Sequence, residues 1–168
     1  MNLFKDNRVT RFQKTALFLF GLLCAMPLSM ANAFQCQVSA GSLSFPSYNI
    51  FSTYPAESSV NILVSCRVPD QSPHSPLPVT IALSSGVSGN TAQRYMASTS
   101  GSDRLFYNLY TDSSFSSIWG DGTGSSGAVT NLVSINNPWN AVVYGRIPAR
   151  QNVTSGSYSD IITVTIAW

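Results

Sequence analysis

His74 is the sole histidine of the 168 residues, and it sits in Pro73-His74-Ser75-Pro76, where prolines hold the chain extended. No cysteine or acidic partner completes a triad or a metal set around it, so it reads as a solvated loop residue. The acids are spread along the chain, and their spacing does not yield the carboxylate pair of a glycosidase. Trp119-Gly120-Asp121-Gly122-Thr123-Gly124 is the most distinctive loop. A calcium loop needs several oxygen ligands at regular spacing, and Asp121 is its only acid, so the segment is expected to be a turn. Asn152-Val153-Thr154 matches a glycosylation acceptor pattern. Tyr48, Phe51, Tyr54, Trp119 and Trp139 lie in or near turns, where rings either stack on sugars or fill a core. These residues imply no catalytic group, no cofactor and no metal.

The first 14 residues carry Lys5, Arg8, Arg11 and Lys14 against a single Asp6, and an uncharged run rich in Leu, Phe and Ala follows over 15–30. Ala31-Asn32-Ala33 then supplies small residues where a signal peptidase reads them. Residues 1–33 are thus expected to be a cleaved export signal, with the cut before Phe34. The alternative is a retained anchor, but the run holds Gly21 and Pro27 and falls short of the ~20 apolar residues needed to span a bilayer. Cys24 follows Leu22 and Leu23 rather than small residues, unlike a lipoprotein cysteine, and is expected to leave with the signal.

Cleavage changes the charge balance. Residues 34–168 hold five arginines (Arg67, Arg94, Arg104, Arg146, Arg150), six acids and no lysine, so the net charge is near −1. Scattered arginines do not make the basic patch that a nucleic-acid binder or a polybasic membrane-surface protein requires. The remaining 135 residues suit one domain. Cys36 and Cys66 are the cysteines left, and in an oxidising export compartment such a pair is expected to be bridged.

Period-two alternation recurs along 34–168, and no window shows a sustained helical stripe with caps. Strands are expected over 60–66, 77–83, 105–110, 142–147 and 162–168, separated by stretches rich in Gly, Pro, Ser and Asn. This spacing favours an antiparallel β-sandwich. The last strand alternates Ile162, Val164, Ile166 and Trp168. Two explanations are open: a docked terminal strand, or a strand whose next neighbour comes from another molecule.

Taken in order, several short motifs resemble one family. They are Cys36 itself, Leu43-Ser44-Phe45-Pro46-Ser47-Tyr48-Asn49, Cys66, Arg94-Tyr95-Met96, and Leu105-Phe106-Tyr107-Asn108-Leu109-Tyr110-Thr111-Asp112. The series continues with the Trp119 loop, Val143-Tyr144-Gly145-Arg146-Ile147-Pro148 and Gly156-Ser157-Tyr158-Ser159-Asp160. The chain resembles the spore coat protein U domain, shared with subunits of Csu-type, or archaic, chaperone-usher pili.

The resemblance implies an all-β, incomplete immunoglobulin-like sandwich that lacks one strand and leaves an apolar acceptor groove. Val38, Leu43, Phe45, Ile162, Val164, Ile166 and Trp168 are expected to line it. A periplasmic chaperone, an outer-membrane usher and other pilin subunits are the implied partners. The groove would be filled by strand addition, in which backbone bonds give affinity and alternate side chains give specificity. The implied route is through the periplasm to a pilus or coat at the cell surface. Family pilins carry a donor segment before the first cysteine, whereas the expected cut leaves only Phe34 and Gln35. At about 3.3 Å per residue these span no groove, so a tip or terminal subunit is expected. A second function class is a self-sufficient carbohydrate-binding module that uses exposed rings.

Overall fold

A computed structural model describes residues 34–68, 75–135 and 137–168; the expected leader, with Cys24, and the loop bearing His74 lie outside these residues. Alternation turns one face of each early strand inward. β1 (Gln35–Ala40) buries Cys36 and Val38, β2 (Ala56–Arg67) buries Ile62, Val64 and Cys66, and β3 (Leu77–Leu83) buries Val79, Ile81 and Leu83. β4 (Arg94–Ser98), β5 (Arg104–Tyr110), β6 (Val129–Val133), β7 (Trp139–Ile147), β8 (Tyr158–Ser159) and β9 (Val164–Ala167) follow. A short 3₁₀ turn, Gly86–Ser88, joins β3 to β4.

The strands form two unequal sheets. The larger has the order β1-β2-β7-β5-β4-β8 and the smaller β6-β3-β9, and every strand pairing is antiparallel. Their inward faces share one apolar core, in which Ile62, Val64, Ile81, Leu83, Met96, Leu109, Val143 and Ile147 are fully buried. This is an immunoglobulin-like β-sandwich. Cys36 and Cys66 stand opposite each other across β1 and β2 and are disulfide-bonded, which ties an edge strand to its neighbour.

One expected strand comes out differently. The alternating run over 162–168 is strand only from Val164, because the chain first pairs as β8 with β4 in the large sheet and then crosses to pair as β9 with β3 in the small one. A segment that changes sheets cannot hold a single ladder.

After β1 the chain runs over the inner face of β7. Leu43 is fully buried there and Phe45 half-buried. A Cβ on Gly145 would sit 2.5 Å from Leu43 Cδ2 and 2.7 Å from Phe45 Cζ, so β7 needs glycine where this segment crosses it. Tyr48 fixes the far end: its hydroxyl donates to the Pro148 carbonyl at 2.8 Å and accepts from the Gln151 amide at 2.7 Å.

Candidate strand-accepting edge

β9 lies at the margin of the three-stranded sheet. Ile81 faces Ile166 and Leu83 faces Val164 on its inner flank, and among the described residues no strand lies on its other flank. Such an edge presents a row of backbone donors and acceptors to any further strand. Ile162 and Val164 are buried, and Ile166 packs half-buried against the core.

At the head of the same segment, where β8 begins, a cleft of about 680 Å³ opens between residues 45–50 and 153–159. Phe45, Leu105, Ile147 and Tyr158 give it apolar lining, and Ser47, Ser155, Ser157 and Ser159 also line it. The Phe45 ring meets Tyr107 edge-on, with centroids 6.1 Å apart.

The residues expected to line a groove are therefore distributed. Leu43 and Phe45 come together over Gly145, and Ile162 and Val164 join the common core. Val38 lies in β1 opposite Val64, within the large sheet. Trp168 is 43% exposed, beyond the last paired residue of β9.

A buried polar cluster holds this region and was not apparent in the sequence. Arg94 is completely buried. Its guanidinium donates to the carbonyls of Ser84 (2.8 and 3.0 Å) and Trp119 (2.9 Å) and to Asn108 Oδ1 (2.7 Å). Burial pulls its pKa below the ordinary arginine value, and the nearby Tyr107, Asp160 and Asp121 oppose that shift. Asp160, also buried, accepts from the Tyr107 hydroxyl at 2.8 Å, the Val87 amide at 2.9 Å and its neighbour's amide, that of Ile161, at 2.8 Å. Burial, reinforced by Asp160, drives the Tyr107 phenol well above its ordinary range, so it remains a donor. Among the described residues no buried side-chain nitrogen or oxygen lacks a partner. Arg94 could have been found from its parity, since it alternates in phase with the buried Met96.

The rings separate by role. Trp119, weighed above as a possible sugar-stacking ring, is core: it is buried, and its indole N–H donates to the Ile81 carbonyl at 3.1 Å. Phe51 and Tyr54 are 85% and 79% exposed. The Asp121 carboxylate accepts from the amide and hydroxyl of Thr123, as a turn does. Among the described residues no group of three or more His, Cys, Asp or Glu is placed to hold a metal ion, and no helix is long and apolar enough to cross a membrane.

The sequence profile of the Spore Coat Protein U domain matches residues 22–165. The chain belongs to the spore coat protein U domain family. The match begins within the apolar run of the expected leader and covers every strand up to the first half of β9. Protein U of Myxococcus xanthus is 35% identical over 83 residues, which is 48% of this chain and 45% of that protein. Among solved structures, the fold is similar to a chain in the CsuC-CsuE chaperone-tip adhesion subunit pre-assembly complex, from archaic chaperone-usher Csu pili of Acinetobacter baumannii. The TM-score is 0.54 at 24% identity, covering 81% of this chain and 40% of that one. The spore coat protein U domain chain thus spans less than half the length of either relative.

Proposed function

We infer that this chain is an exported structural subunit of a bacterial surface pilus or coat, assembled by strand complementation along β9. The observation that carries the reading is the position of β9, an edge strand with an apolar inner face and, among the described residues, no strand on its other flank. The similar solved fold comes from a complex of a chaperone with a pilus tip subunit, which supports the same reading. The partners are a periplasmic chaperone, an outer-membrane usher and neighbouring pilin subunits, and the role is structural rather than catalytic. Val38, Leu43, Phe45, Ile162, Val164, Ile166 and Trp168 are the residues assigned to groove and strand pairing.

Residues 1–33 are removed on export and 34–168 form the working domain. With Phe34 and Gln35 alone ahead of Cys36, the processed chain accepts a strand and does not donate one, as a tip or terminal subunit would. Mass measurement of the exported protein checks this directly: a mature start well upstream of Phe34 sinks the tip assignment.

The assembly reading is tested by producing residues 34–168 alone and again with a linked alternating donor strand. The expected outcome is an aggregating or low-melting domain alone and a higher melting temperature with the strand. A free monomer that melts no lower than the complemented one overturns it. The carbohydrate-module alternative loses support from the burial of Trp119.

A further inference from the structure

The last segment must leave one sheet and join the other within four residues, between Ser159 at the end of β8 and Val164 at the start of β9. Two polar ties hold it there. In the first, the Asp160 carboxylate accepts from Tyr107 on β5 and from Val87 in the 3₁₀ turn. A Cβ on Gly86 would lie 2.1 Å from Asp160 Oδ2, and Gly86 has φ +65°, so the turn closes on this carboxylate with no space left over. In the second, Thr163 donates its amide to Ser84 Oγ at 2.9 Å and accepts the Ser84 amide at 3.0 Å, while the Ser84 carbonyl is gripped by Arg94. β5, the 3₁₀ turn and the end of β3 thus converge on the four residues that aim β9.

We propose that Asp160, held by Tyr107 and Val87, is a positioning residue for strand acceptance: it latches the crossover so that the outer flank of β9 is presented in a fixed register to an incoming strand. The proposal rests on the strand-complementation reading. Without the latch the crossover is held by the Ser84–Thr163 pair alone and gains freedom, and an arriving strand has to order β9 before it can pair, which slows association.

The probe is a fluorescent ten-residue peptide alternating valine and threonine, added to the processed full-length exported chain. Asp160→Ala is expected to slow peptide association by about ten- to hundredfold, the loss of a charged buried hydrogen bond in rate terms. It should raise amide exchange over 162–168 by a similar factor while 56–67 follows global stability. Asp160→Asn keeps the shape, the two amide bonds on Oδ1 and, with its Nδ2 donating to the Tyr107 hydroxyl oxygen, the tie to β5, and is expected to restore the rate to within about threefold. Tyr107→Phe removes only the hydroxyl and gives a second route if Asp160→Ala does not fold. Ile62→Val, a core change away from the latch, supplies the comparison for ordinary destabilisation. Association by Asp160→Ala or Tyr107→Phe as fast as the wild type, or slowed only as much as Ile62→Val, overturns the latch alone. Failure of the wild type to take up any peptide overturns the strand-complementation reading and the latch's role with it.

Discussion

Arg94 is a buried cation whose hydrogen-bond acceptors are neutral: three main-chain segments and one amide oxygen fill its fork. Lysine carries the same charge but cannot reach diverging acceptors from a single nitrogen. Arg94→Lys is therefore expected to lower stability by about 3 kcal/mol or more, because the carbonyls of Ser84 and Trp119 are left buried without donors; urea denaturation measures this. Asp112 behaves differently, at the surface. Its carboxylate accepts from the Ser114 side chain and from the amides of Ser114, Ser116 and Ser117, which together hold its pKa down to about 2. A depressed folded pKa means that the turn's contribution is fully present above the ordinary carboxylate value of 3.8 and is lost as pH falls toward 2. An NMR titration following the Ser114, Ser116 and Ser117 amides should show a midpoint near the lower value.

Individual strands were legible in the sequence where alternation was undisturbed. β3 spans the expected 77–83, and β5 and β7 extend their expected segments by one and three residues at the start. β4 was not anticipated, since an arginine that faces inward breaks the usual code of polar outward and apolar inward. Asn108 breaks the code in the same way: it alternates out of phase with the buried Leu105, Tyr107 and Leu109, yet it is buried and bonded to Arg94. The switch of sheets between β8 and β9 left no periodic trace either, and the Asp160–Tyr107 contact beside it joins residues 53 apart in the chain. The cystine was legible, and its effect belongs to the β1-β2 pair. Closing a separation of 30 residues restricts the unfolded chain, so replacing both Cys36 and Cys66 by alanine should lower stability by roughly 3 to 4 kcal/mol in the chain-entropy account. Calorimetry of the double variant checks it, and β1 should fray first because, among the described residues, it pairs with β2 alone.

At the scale of the whole molecule the sheet order joins distant parts of the chain. Ala56 pairs with Ile147, and Thr80 with Ala167. Alternation in one segment carries no information about which remote segment lies beside it, so sheet order was beyond what periodicity could show. Nonlocal pairing also slows folding, because the closure entropy of long loops precedes any reward from contacts. Refolding of the disulfide-intact chain is expected on the millisecond-to-second scale in stopped-flow fluorescence, with Trp119 reporting core closure. The cystine has a mechanical meaning as well. A chain pulled between its ends can pay out only the residues that no covalent bridge bypasses. Cys36 and Cys66 withhold a stretch of 30 residues from that release, shortening the extension of a ruptured subunit by about 100 Å. Single-molecule stretching of the domain with and without reductant should differ by that length, so that the oxidised domain yields in a smaller step.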